Sequence, residues 1–95
     1  MNFLEYIVLG KGRKVITAEK YIDSLNKMTC LLNDVLGVKV NIDELTSCSS
    51  TEFLSYIHIF ESSEELVQLN LKWHHVISAA YNNYFNYLKY IEGVK

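Results

Sequence analysis

Histidines are the first side chains to consider as metal ligands or acid–base groups. His74 and His75 are adjacent, and neighbouring residues on a helix point about 100° apart, so they cannot easily share one metal ion. A helical zinc pair would be spaced by three or four residues, as in the H-E-x-x-H motif, and no such pair is present. We therefore expect no metal site, and a helix-entry or surface role for His74 and His75. We likewise expect His58 to bind no metal ion.

Nucleophiles and phosphate-binding loops are also missing from the pattern. Cys30 and Cys48 form neither a disulfide framework nor a metal motif, which favours two free thiols in a reducing cytosol. The serines of 47–50 are typical linker and capping residues. Gly10-Lys-Gly12 has too few glycines for a P-loop and no Ser or Thr after its lysine. We expect no catalytic residue and no cofactor, and therefore not an independent enzyme.

Cations are the candidates for phosphate contact, and they are unevenly placed. Four lie in the first third of the chain and one lies later: Lys11, Arg13, Lys14, Lys20 and Lys72. Between Val40 and Leu71 there is no Lys or Arg, whereas six carboxylates are present there: Asp43, Glu44, Glu52, Glu61, Glu64 and Glu65. The formal net charge is −2, so a contact with DNA would be weak and salt-dependent. The alternative is that these cations lie on a solvent-exposed loop and bind no partner.

Aromatic residues are the candidates for a protein contact. Trp73, Tyr87 and Tyr90 lie at the start or on the stripe edge of the last predicted helix, and tyrosine and tryptophan are favoured at interfaces. The alternative is that their rings fill the core while their polar atoms reach the surface. A protein partner or a homodimer would use these three residues.

The last quarter of the chain predicts the helix that organises the domain. Apolar residues recur at spacings of four and three along one stripe, with a second stripe beside it: Ile77, Tyr81, Tyr84, Leu88 and Ile91, then Val76, Ala80, Tyr87 and Tyr90. A helix that is apolar over most of its circumference needs neighbours on more than one side. We expect this helix to run from about Trp73 to Glu92 and to close at Gly93.

The remaining pattern predicts an all-α, compact bundle of about five helices in a single domain, residues 1–95. Asn2 caps a short first helix ending at Gly10; Thr17 caps a long second helix that stops at Gly37. Capping boxes at 49–52 and 62–65 open two further helices. Residues 38–42 alternate and predict a short extended stretch. Residues 56–60 also alternate, so a strand there stays open, although the cap favours helix.

The chain lacks the features of an exported or membrane-spanning protein. Glu5 follows the start closely, and no basic start precedes an apolar run. No apolar run approaches the ~20 residues that cross a bilayer. We expect a cytoplasmic protein with no membrane partner, either complete or the N-terminal part of a longer chain.

Two segments resemble known modules. Residues 17–28 fit T-x-x-x-Y-x-x-x-L-x-x-[IM], and 78–88 read S-A-A-Y-N-N-Y-F-N-Y-L. Together they resemble the helical N-terminal module of HNH-type and McrB-like restriction endonucleases, over residues 3–93. They are also similar to the SAM-like core-binding domain of tyrosine recombinases, whose closing pattern is matched by Ser78, Ala79, Phe85 and Leu88. Neither resemblance brings catalytic residues, because both families keep their chemistry in a following domain.

The resemblance implies a function in nucleic-acid handling, and the residues leave a second one open. The first hypothesis is a non-catalytic accessory domain of a restriction or mobile-element nuclease, assisting nucleic-acid engagement or subunit contact. Asn82, Asn83 and Asn86 stand where a recombinase carries cations, so the implied grip on DNA is weak. The second hypothesis is a stand-alone phage or bacterial protein–protein interaction module, an inhibitor or adaptor.

Overall fold

The computed structural model describes residues 2–93, and six helices follow one another along them. The first is α1, which begins as an α-helix and continues without a break as a π-helix; the others are α-helical. Their bounds are Phe3–Glu5 with Tyr6–Gly10 (α1), Val15–Leu36 (α2), Ile42–Ser47 (α3), Ser50–Glu61 (α4), Glu64–Lys72 (α5) and Val76–Gly93 (α6). The expected all-α bundle is thus confirmed, with one helix more than the pattern indicated.

Side-chain caps begin four of these helices. The Asn2 and Asn41 side chains accept from the N–H groups of Glu5 and Glu44, and Asn41 completes a capping box. Ser49 accepts from the Glu52 N–H, and Ser63 caps α5 in the same way. These bonds satisfy N–H groups that would otherwise lack a partner at a helix start. The cap of α5 is therefore Ser63 rather than Ser62, and no capping box forms there, because the third helical residue is Leu66.

The core is built around α6, as the wide apolar arc predicts. Ile77, Ala80, Tyr81, Tyr84 and Leu88 are all buried. Neighbours cover this arc on several sides, because α6 packs against α2, α4 and α5. A helix apolar on most of its circumference is stable in water only when it is enclosed in this way.

Helices α4 and α6 run antiparallel. The start of α4 meets the end of α6 where Ser50 binds Glu92, and the end of α4 meets α6 where the Phe60 and Tyr81 rings contact. Their ring centroids are 5.7 Å apart. Residues 56–60 lie within α4, so they are helical, and Phe53, Ile57 and Phe60 are buried at helical spacing.

Two boundary predictions were wrong. Thr17 is not a cap: α2 begins at Val15, because Lys14 already has extended backbone and its carbonyl accepts the N–H groups of Thr17 and Ala18. Residues 38–42 form no strand, since 38–41 are irregular and Ile42 opens α3. Gly37, in contrast, ends α2 in the left-handed conformation as predicted.

Among the described residues, none of the helices combines the length and the apolar character needed to cross a bilayer.

Candidate functional site

The connection between α1 and α2 folds back onto the end of α1. The Lys11 N–H donates to the Tyr6 carbonyl and the Arg13 N–H to the Ile7 carbonyl, both at 3.1 Å. Gly12 has φ +66°, a conformation that L side chains rarely adopt. These contacts hold the basic loop in a defined position before α2 begins.

Apolar and basic side chains in and beside this turn are exposed to solvent. Leu9 is 71% exposed, Ile16 is 59% exposed and Val15 is 49% exposed. Lys11, Arg13 and Lys14 are exposed as well. We call this surface the loop face, made of Leu9, Lys11, Arg13, Lys14, Val15 and Ile16. No Asp or Glu stands between Tyr6 and Ala18 in the sequence, so the loop face combines apolar surface with positive charge.

An aromatic cluster packs α1, which leads into the loop face, against α6. The ring of Tyr6 contacts the rings of Tyr87 and Tyr90, each with centroids 5.4 Å apart. Phe3 packs edge-on against Tyr84 at 5.0 Å. The Lys11 ammonium lies 5.5 Å from the Tyr6 centroid, within range of a cation–π contact. The loop face is therefore fixed to the C-terminal half of α6.

The three predicted partner-binding aromatics separate in the structure. Tyr87 is only 8% exposed, so it lies in the core rather than on a docking edge, because α1 covers it. Tyr90 is 46% exposed and lies beside the loop face. Trp73 is half-buried near the start of α6, where the Lys27 ammonium lies 5.5 Å from its ring centroid.

The five predicted nucleic-acid-binding cations do not form one surface. Lys11, Arg13 and Lys14 share the loop face, and Lys20 is exposed on α2. Lys72 ends α5, just before α6 begins. Val76 and Tyr90 are 14 positions apart, which corresponds to a rise of about 21 Å along a helix. Lys72 thus lies near the opposite end of α6 from Lys11, and the expected five-residue track is not assembled.

The histidine pair does not open α6. His74 and His75 form a turn with φ of 57° and 61°, the left-handed region that costs L residues energy, and α6 begins only at Val76. The buried Asn70 holds this turn. Its side-chain oxygen accepts from the N–H groups of Ile77 and Ser78, both at 3.1 Å, and its amide donates to the Ser78 hydroxyl.

Asn70 and the Ser50–Glu92 contact were both missed by the sequence reasoning. A signal for Asn70 did exist, since a lone asparagine four residues after Leu66 lies on the buried side of an amphipathic helix. No local signal marks Glu92, because its partner is 42 residues away.

Burial controls the ionisable groups of the core. Desolvation is the main cause that raises the pKa of the Cys48 thiol, so that thiol is less readily ionised than a free one. Burial, together with the hydrogen bond that the Tyr81 hydroxyl donates to Glu61, raises the pKa of Tyr81. Burial also raises the pKa of Tyr84 to about 12. These groups stay protonated at neutral pH.

Within residues 2–93, no group of three or more His, Cys, Asp or Glu side chains is placed to hold a metal ion, and no pocket is found. Cys30 and Cys48 are free thiols. Comparisons with protein-family models, with curated proteins and with solved structures found no match to this chain.

Proposed function

We propose that this chain is a non-catalytic docking domain that binds a partner protein through the loop face. The observation that carries the proposal is the exposure of Leu9, Val15 and Ile16 next to three cations. Contiguous apolar surface rimmed by polar groups marks interaction sites on soluble proteins. The role corresponds to the subunit contact of an accessory domain in a restriction or mobile-element nuclease, and we place it in the cytoplasm.

The support beneath the loop face favours a preorganised docking surface. Its backbone is bonded to α1, and Tyr6 anchors α1 on α6. A surface already held in one conformation loses less entropy when a partner binds. Its aliphatic side chains favour a protein partner, because single-stranded nucleic acid is bound mainly by aromatic stacking.

Site-specific photocross-linking tests this function. A benzophenone amino acid is placed at position 9 or at position 16, and the variants are expressed in the protein's native cells. The matched control carries the probe at Asn82, which is exposed on the polar strip of α6. We expect adducts with another protein chain from positions 9 and 16 and none from 82. Adducts from all three positions, or from none, would rule out a specific docking surface.

A second candidate function, nucleic-acid engagement, is favoured by the same three cations. Lys11, Arg13 and Lys14 lie within four residues of sequence, and Lys20 follows on the first turns of α2. Phosphate contacts made by such cations weaken steeply as salt rises. A duplex-DNA anisotropy titration at low and moderate salt tests this candidate.

Two substitutions sharpen the titration. Lys14→Gln should weaken any DNA binding and reduce its salt dependence, whereas Lys72→Gln, at the opposite end of α6, should leave both unchanged. Undetectable binding at both salt concentrations excludes the nucleic-acid function. Equal loss in both variants would show charge attraction spread over the whole domain.

A further inference from the structure

A second exposed apolar surface lies on α5, and its charge is opposite to that of the loop face. Val67 is 39% exposed and Leu71 is 51% exposed, four residues apart on the same side of the helix. Glu64 and Gln68 share that side, and Glu65 is exposed beside it. We call this surface the α5 face: Glu64, Glu65, Val67, Gln68 and Leu71.

The α5 face belongs to the acidic part of the chain. No Lys or Arg occurs between Val40 and Leu71, but Lys72 follows Leu71 and the Lys27 ammonium lies 5.5 Å from the Trp73 ring centroid at the end of the helix. The acidic part of the α5 face is therefore its first turn, Glu64 and Glu65. The loop face contains three cations and no carboxylate. The two surfaces therefore match in apolar character and are complementary in charge, the arrangement that guides specific association.

The two faces do not cover each other within one molecule, since Leu9, Ile16, Val67 and Leu71 are all exposed. Helix α5 leads directly into the N-terminal half of α6, where Asn70 binds the backbone of Ile77 and Ser78. The loop face lies at the C-terminal half of α6, beside Tyr90. Val76 and Tyr90, which lie near these two regions, are about 21 Å apart along α6. Each face is thus available to a different molecule.

From these observations we infer that a second copy of this chain occupies the loop face, through its α5 face. The inference rests on the proposed docking function and names the partner. Because the two surfaces differ, the contact is head-to-tail: the bound pair still presents one unused loop face and one unused α5 face. Leu9 and Ile16 would pack against Val67 and Leu71, while Lys11 and Arg13 approach Glu64 and Glu65.

Mixing two variants tests this geometry. One variant carries Leu9→Glu with Ile16→Glu and keeps its α5 face; the other carries Val67→Glu with Leu71→Glu and keeps its loop face. All four positions are exposed, so both variants should fold, and circular dichroism checks this. In light-scattering or sedimentation measurements, we expect wild-type mass to rise above the 11.0 kDa monomer with concentration. Each variant alone should remain monomeric.

An equal mixture of the two variants should form a one-to-one dimer and grow no further. A mixture that stays monomeric, or a Val67→Glu/Leu71→Glu variant that still dimerises, would overturn the head-to-tail contact. Asn82→Glu, on the polar strip of α6, is the control and should associate like the wild type. Exchanging charges adds a second check: Lys11→Glu with Arg13→Glu should abolish association, and adding Glu64→Lys with Glu65→Lys should restore it.

Failure of this inference is distinguishable from failure of the docking function. A strictly monomeric wild type whose position-9 probe still cross-links a different protein overturns self-association and leaves the docking function standing. A monomeric wild type without any adduct overturns both. An adduct of twice the chain mass, formed from positions 9 and 16 alone, supports both.

Discussion

The backbone N–H and the hydroxyl of Ser50 both donate to the Glu92 carboxylate, at 2.7 and 2.6 Å. Ser50 is the first residue of α4, so the carboxylate lies at the positive end of that helix. Glu92 belongs to the last turn of α6. One side chain therefore joins the start of α4 to the end of the central helix.

Replacing Glu92 should make the free energy of unfolding less dependent on pH in the acidic range. The Ser50 hydroxyl, and then its backbone N–H, hold the pKa of Glu92 below its ordinary value. The folded state thus binds this proton less tightly than the unfolded state, so the contribution is present above the unfolded pKa and is lost as pH falls through the folded pKa. Glu92→Gln should lower the free energy of unfolding at neutral pH, with a difference that shrinks in acid. Urea unfolding across this pH range measures it.

The control for this measurement is Glu19→Gln, an exposed carboxylate on α2. Its effect on the free energy of unfolding should be small at neutral pH. A Glu92→Gln deficit that stays constant down to strongly acidic pH would contradict a contribution from the hydrogen bonds that Ser50 donates to the ionised carboxylate.

Asn70→Ala should be among the most damaging polar substitutions. The change removes two acceptor bonds at the start of α6 and one donor bond to Ser78, in a buried site. Loss of a helix cap and exposure of unpaired buried groups each cost about 1–2 kcal/mol, so we expect a loss of about 2 kcal/mol or more. Chemical denaturation measures it. Asn82→Ala, at an exposed position of α6, should stay within about 0.5 kcal/mol, and equal losses would show that the Asn70 bonds contribute nothing specific.

These contacts show which parts of the fold local sequence can predict. Asn2, Gly37 and Ser49 act within a few residues of their own helix ends, and all three were located from the sequence. The bonds of Ser50 to Glu92 and of Tyr84 to Thr46 join residues 42 and 38 positions apart, and no periodicity encodes them. The caps were predictable because a capping side chain and the N–H group that it binds lie only a few residues apart in the sequence.

The candidate site was predictable only in part, for the same reason. The basic loop was visible as Lys11, Arg13 and Lys14. The exposure of Leu9 and Ile16 was not, because an apolar residue near a helix end reads equally well as core. Tyr87 looked like a stripe-edge residue until α1 was placed over it. Whether a side chain is free to bind depends on what its neighbours leave uncovered.

Glycine at position 75 should stabilise the protein. His75 has φ 61°, which costs an L residue energy that glycine does not pay. We expect His75→Gly to raise the free energy of unfolding by about 0.5–1 kcal/mol after the entropy of the unfolded chain is included. The same exchange at His58, inside α4, should lower it by about 1 kcal/mol. Thermal unfolding of both variants gives the comparison, and a loss at both positions would show that His75 contributes side-chain contacts outweighing its strain.

Tyr84→Phe should weaken the core and change its alkaline behaviour. The Tyr84 hydroxyl donates to the Thr46 carbonyl at the end of α3, so its removal should cost about 1 kcal/mol. Burial raises the pKa of Tyr84 to about 12, above the unfolded value of about 10. The folded state therefore holds this proton more tightly, and its contribution is complete below the unfolded pKa and lost as pH rises through the folded one. Urea unfolding from neutral to alkaline pH should show a shallower alkaline loss in Tyr84→Phe than in the wild type. Tyr90→Phe, at an exposed ring, should follow the wild type, and identical profiles for all three proteins would exclude Tyr84 as the source.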